Sequence, residues 1–292
     1  MTRKKYKTSP IWIAMFVALA IYSASLIFLV GWGVMLAFKS PAEYNFSGVH
    51  FTFNLSVESF DTALKYLYIP IRYGNQIRKV GFMEMFYNTM VYSLGCALSQ
   101  TVCVMIMAYM TAKFNYKFSS FLIALAYVLM VLPIGGSMAA GIRVAKMAGT
   151  YGTMLGMFVM KFNFLGMYFL IYHARFKAIE KEYTEAAKMD GASNLRVFIS
   201  IMIPMTRTTF FMIYMMHFMG YWGDYMTPLI YMDTRPTMAL GLFKFKSSAE
   251  NALSIPSVTI AGSIIMMVPM FILYVLFNKK IYGNLTFGGI KG

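Results

Sequence analysis

Residues 179–204, IEKEYTEAAKMDGASNLRVFISIMIP, decide how this chain is read. They form a charged, helix-prone island between apolar runs and hold Glu180, Glu182, Glu185 and Asp190, four of the chain's 11 acidic residues. Ile179–Asp190 favours a helix, with Glu180 and Glu182 set to complement the positive end of its dipole. Tyr183, Ala186 and Ala187 share one face by helical spacing, and the two alanines let another backbone come close. Gly191 is the natural stop, because glycine tolerates the left-handed conformation at a helix end. Ser193 or Asn194 then caps a second helix running through Val197, Ile201 and Ile203. Pro204 has no N–H, which frees the Ser200 carbonyl and favours a bend. A helix–glycine–helix elbow of this kind passes movement from a soluble partner to the span behind it. An ordinary helical loop fits these residues equally well.

Outward from the island the chain reads as membrane. Hydrophobic residues make up 59% and charged ones 13%, against roughly 25% charged in a soluble domain. Such a chain cannot hide its apolar surface in a water-soluble globule, so lipid must be its solvent. The net charge of +15 would suit nucleic acid in a soluble protein. Here its placement beside apolar runs accounts for it, and no nucleic-acid partner is expected. Cys96 and Cys103 stand two helical turns apart, about 10 Å, beyond disulfide reach. The 29 methionines scatter through every span and read as flexible packing rather than a metal path.

A membrane helix needs about 20 apolar residues. Six runs qualify: 11–38, 86–112, 118–142, 149–171, 205–221 and 257–277. The third is interrupted by Pro133 and Gly135-Gly136, the fourth carries Lys161 near its middle, and Pro269 kinks the sixth. Residues 1–25 could pass for a signal peptide, but the apolar run continues to Phe38 and reads as a retained span. The fold class is therefore all-α and polytopic, with a cytoplasmic segment 1–10 before a six-helix domain 11–292. Arg3, Lys4, Lys5 and Lys7 precede the first span, and 14 basic residues fall on that side against 10 outside. Both ends are thus expected in the cytoplasm. The outer segment Lys39–Glu84 is too polar to span and reads as a folded cap or an interface-lying helix. Gly152-x-x-x-Gly156 is a pattern for close helix contact.

The stretch Ile179–Ser193 resembles the coupling signature of bacterial ABC-importer permeases, particularly their carbohydrate-uptake, maltose-type branch. The spacing from Glu185 through Gly191 to Pro204 matches that signature, with Ile203 where the family usually has Leu. Gly220–Leu229 resembles the family's segment after its penultimate span, although Gly223 is atypical there, and Gly283–Gly292 resembles its Gly-rich tail. The resemblance implies the type I importer permease fold in a bacterial plasma (inner) membrane, with a coupling helix at about 179–191. It also implies a homologous second permease, an ABC ATPase dimer at the cytoplasmic face and an extracellular solute-binding protein. On it, Glu182, Glu185, Ala186, Ala187, Asp190, Gly191 and Pro204 are carried over as the coupling residues. Met232–Asn251 falls where the family has a loop reaching into the binding protein, so Lys244 and Lys246 are candidate contacts. The cargo implied is an oligosaccharide or a glycoside.

Sugars have apolar ring faces and many hydroxyls, so a path for them suits aromatic platforms beside amides and hydroxyls. Asn88, Gln100, Tyr221, Trp222 and Asp224 are candidates, each equally fit for helix packing or interface anchoring. Lys161 is sharper, because a mid-bilayer charge costs roughly 2.5–3.5 kcal/mol on insertion scales. It either lines the path, pairs with the partner permease, or reaches the interface through a shifted span. No enzyme is expected. His50, His173 and His217 fall on loops or span ends, and no His-Glu-x-x-His occurs. With no Gly-Lys dipeptide the chain has no P-loop, which leaves ATP and magnesium to the partner ATPase and no cofactor to this chain. The rival reading is an ion-coupled secondary transporter or a channel subunit, for which Asp224 is the sole intramembrane acid available.

Overall fold

The computed structural model describes residues 10–73, 76–114, 116–132, 138–164, 166–247 and 255–282, with backbone alone at 73, 246–247 and 278–282. The N-terminal basic cluster, Pro133, Gly135-Gly136, the tail from Gly283 and the side chain of Lys246 lie outside the described residues. Almost every described element is a helix. Three helices are long and apolar enough to cross a membrane: α1 (Pro10–Ala37), α4 (Phe82–Lys113) and the first part of α15 (Pro256–Tyr282). A fourth crossing is counted if two segments bent by 77°, Asn194–Met205 and Arg207–Trp222, are taken as one broken span.

The chain divides into two compact units. The smaller comprises residues 1–67 and 244–267. Its α1 is apolar on every side, and the whole of its most apolar window is unburied, which only lipid can accommodate. Behind it come α2 (Pro41–Ser47) and α3 (Glu58–Tyr66). Ser40 caps α2 by accepting from the Glu43 N–H. Lys39 is fully buried, yet its ammonium donates to the Gly48 and His50 carbonyls at 2.9 and 3.0 Å. Two charge-assisted bonds offset the cost of taking that cation from water. Ser59 joins the same corner, donating to the Lys39 carbonyl at 2.6 Å and meeting the Ser257 hydroxyl at 3.1 Å.

The larger unit, residues 68–243 and 268–292, opens with an antiparallel hairpin, β1 (Ile69–Tyr73) and β2 (Gln76–Val80), in which Arg72 faces Ile77. The segment Lys39–Glu84, expected to be a folded cap or an interface-lying helix, thus contains a strand pair. Gly74-Asn75 between the two runs is the turn signal that would have found it. Helix α4 is the spine. Its buried positions, among them Met85, Thr89, Tyr92, Cys96 and Ala108, recur every three to four residues, and many are small. In lipid no hydrophobic force drives helices together, so close packing of such faces supplies the attraction.

After α4 the chain continues through α5 (Lys117–Val131), α6 (Met138–Met147), α7 (Met154–Met160), α8 (Met167–Lys177), α9 (Glu182–Met189) and α10 (Asn194–Val197). A π-helical turn, Phe198–Met202, then leads into α11 (Ile203–Met205), α12 (Arg207–Trp222), α13 (Met226–Tyr231) and α14 (Met238–Ser247). Helices α8 and α12 pack against α4. Toward the elbow the core is aromatic: Phe169, Tyr172 and Phe176 are fully buried, and Tyr109 meets Phe176 at 5.6 Å and Phe198 at 4.6 Å between ring centroids.

Two expectations change here. The run 149–171 is not one helix, because α7 ends at Lys161 and α8 begins only after Gly166, whose φ is 132°. A lysine at a helix C-terminus complements the dipole there, whereas in mid-span it would be stranded. Nor do Gly152 and Gly156 form a helix contact. Gly152 has φ 75° and donates its N–H to the Tyr231 carbonyl at 2.9 Å, while Gly156 sits against the carbonyl of Thr150 in its own turn. In the run 118–142, by contrast, α5 ends at Val131 and α6 begins at Met138, on either side of the expected interruption.

Candidate functional site

Tyr92, Cys96 and Gln100 lie one turn apart on α4 and face α12, whose His217 and Tyr221 are also one turn apart. This pairing of i, i+4 rows makes a polar seam inside the larger unit. The Tyr92 hydroxyl donates to Asp224 Oδ2 at 2.8 Å, and the Thr227 backbone N–H donates to Oδ1 at 3.0 Å. Lys161 Nζ reaches the Thr227 hydroxyl at 3.4 Å and stands 4.9 Å from the centroid of the Tyr221 ring. Tyr221 in turn donates to Gln100 Oε1. One step along, Thr101 and His217 Nδ1 are 2.9 Å apart, and Tyr168 closes on the histidine ring edge-on at 4.6 Å.

Four of the path candidates, Gln100, Lys161, Tyr221 and Asp224, are therefore drawn into one network. Two are not. Asn88 is buried and gives its amide to the Pro236 carbonyl at 3.1 Å. Trp222 is 2% exposed, packed between Phe86 and Phe218. Tyr92, Thr101, Tyr168 and Thr227, which no sequence signal marks, belong to the seam as well, and so does His217. His217 departs from the span-end placement expected of it: it lies within α12, is buried, and leaves Nε2 without a hydrogen-bond partner among the described residues. Its one-turn spacing from Tyr221 was the available signal, but only the fold says that α4 is what they face.

The elbow takes the form its residues specify. Helix α9 carries Glu182 and Glu185 in its first turn and buries none of its residues. Tyr183 is 50% exposed and Met189 88%, and Glu185, Ala186 and Asp190 also face outward. Gly191 has φ 77°, and Ser193 caps α10 by accepting from the Arg196 N–H at 3.3 Å. Ala187, Asp190, Ala192, Arg196 and Ser200 line a hollow of about 250 Å³ in the elbow's crook. The C-terminal end of α4 is tied to the entrance, Lys113 Nζ donating to the Ile179 carbonyl at 2.7 Å.

Behind the elbow, Pro204 cannot donate to the turn before it, and residues 198–202 widen into the π-helical turn. Thr206, 1% exposed, then returns its hydroxyl to the Met202 carbonyl at 2.9 Å at the 77° bend. Coupling candidates Glu182 through Pro204 and seam residue Tyr221 thus stand on the succession of helices α9 to α12, interrupted at two hinges, and Asp224 follows two residues after its end. Lys244 is exposed on α14, so the segment expected to be a loop includes a helix there.

Residues 84–281 match the family of binding-protein-dependent transport system inner membrane components. The chain belongs to that family. Among its relatives, a galactooligosaccharide transport permease of Bacillus subtilis is 23% identical over 72% of this chain and 75% of its own length. A melibiose, raffinose and stachyose import permease of the same organism is 26% identical over 71% and 75%. An arabinooligosaccharide permease of Halalkalibacterium halodurans is 22% identical over 99% of this chain and all of its own. The fold is that of a subunit of a bacterial ABC transporter that imports alginate, with a TM-score of 0.75 at 15% identity, covering 94% of this chain and 99% of that one. This family member is accordingly a multi-pass inner-membrane component of an importer.

Proposed function

We propose that this permease forms half of the translocation path for an oligosaccharide or glycoside. In this reading a homologous second permease completes the path, and a solute-binding protein delivers cargo from outside. An ABC ATPase dimer grips the elbow from the cytoplasm, holding the ATP and magnesium, while this chain binds no cofactor. Both chain ends are cytoplasmic, and the full complement of spans is six. Glu182, Glu185, Ala186, Ala187, Asp190 and Gly191 make the ATPase contact, Pro204 sets the hinge, and Lys244 and Lys246 meet the binding protein.

The observation that carries this reading is the continuity of α9 to α12. The outward-facing elbow around Glu185 and the side chain of Tyr221 lie on one succession of helices, and Asp224 follows directly after its end. A partner that shifts the elbow therefore shifts α12 against α4, and with it the contacts Tyr92–Asp224 and Gln100–Tyr221. Alternating access needs two states of different energy, and nucleotide binding by the partner supplies the bias between them. The seam suits a sugar because it sets hydroxyls, an amide and a carboxylate beside the ring faces of Tyr221 and Tyr168. The cargoes named for three relatives, all oligosaccharide sugars, agree with it.

The test is reconstitution in vesicles with and without the ATPase. Uptake that needs the ATPase and the binding protein is expected. Uptake by this chain alone, driven by an ion gradient, would mark a secondary transporter instead.

A further inference from the structure

A second cavity in the larger unit lies apart from the seam. It has a volume of about 980 Å³, and its lining includes β2, the first turn of α4 and Thr234-Arg235 of the turn after α13. That is the size of a site for a small oligosaccharide. Tyr87, 67% exposed, presents an uncovered ring, and Gln76 and Thr234 offer an amide and a hydroxyl. Of its two guanidinium groups, Arg78 is held by Glu84 at 2.8 Å, whereas exposed Arg235 has no ion pair among the described residues. Arg72 and Lys79 on the hairpin add positive charge nearby, against Asp233 beside Arg235. The chemistry left open is one planar, five-donor cation in the same cavity as an aromatic face.

We infer that this vestibule is a saccharide site selective for a sugar carboxylate, with Arg235 taking the carboxylate and Tyr87 the ring face. A guanidinium meets a carboxylate through two parallel hydrogen bonds, which a neutral sugar cannot replace. The cargo would then be acidic, a uronate-containing oligosaccharide, and the vestibule would hold it before the seam does. This rests on the sugar-path reading above and narrows it.

The experiment titrates the complete transporter complex, in lipid nanodiscs, with trigalacturonate and with neutral maltotriose. Trigalacturonate is expected to bind at least tenfold tighter, less so as salt rises. Arg235→Gln should abolish that preference without changing maltotriose binding, and Arg235→Lys should keep part of it. Tyr87→Ala, a second variant at the same wall, should weaken both sugars. Equal affinity for the two sugars, or a preference that survives Arg235→Gln, overturns the carboxylate site and leaves the sugar path standing. If neither sugar binds a complex whose ATP hydrolysis is intact, the sugar path falls and takes the vestibule with it.

Discussion

The phenol of Tyr92 on α4 donates to the carboxylate of Asp224, just past the end of α12, at 2.8 Å. With Tyr221–Gln100 and Thr101–His217 it is one of the polar contacts that fasten the spine of the larger unit to the helix that continues from the elbow and the turn after it. Removing Asp224 takes the acceptor from both the Tyr92 hydroxyl and the Thr227 N–H. Asp224→Ala should therefore cost about 1–3 kcal/mol of stability, more than the ~0.5–1.5 kcal/mol expected for Tyr92→Phe. Thermal unfolding of the purified variants measures both. The double variant should lose less than the sum, because the two residues share one bond.

Lys161→Met separates transport from insertion. The ammonium stands over Tyr221 and touches Thr227, so on the path reading its loss should lower solute uptake several-fold. Membrane insertion should be equal or better, since an apolar residue replaces a charge. Uptake and solute affinity that match the parent chain would remove Lys161 from the path.

At the elbow, Gly191→Pro and Glu185→Lys are expected to uncouple ATP hydrolysis from uptake while the chain still inserts. Gly191 sits at φ 77°, which proline cannot adopt. Glu185 is exposed on the first turn of α9, where reversing its charge alters the surface offered to a partner. Solute-stimulated hydrolysis at the parental level in both variants would contradict a coupling role.

Gly95→Ala tests the packing of α7 on α4. A methyl group at that position would overlap the Phe158 ring. The ring must swing away or the helices must part, at a cost of about 1–3 kcal/mol. A lowered unfolding temperature is expected, with recovery when Phe158→Leu is added. An unchanged temperature would mean that the ring moves freely.

The elbow was legible residue by residue, because its signals are local. A left-handed glycine, a serine cap and a proline without an N–H act within a few residues of themselves, and the chain adopts the turn each one specifies. The hairpin's signal is equally local, the Gly74-Asn75 pair between two short runs. The seam was legible only in part. Gln100, Lys161, Tyr221 and Asp224 stand out as polar residues in apolar surroundings, whereas Tyr92, Thr101 and His217 look like ordinary helix residues until α4 and α12 meet.

Composition and short-range chemistry thus determined by themselves that the chain lives in lipid, that most of it is helical, and that a glycine-jointed elbow faces away from the core. The tertiary structure alone decided that α7 stops at Lys161 and that Tyr92 finds Asp224 from 132 positions away. The reason is the range of the forces. Solvent preference and backbone caps are settled by a residue and its near neighbours. Which polar side chains share a seam depends on how small faces of distant helices close on one another, and no spacing along the chain encodes that.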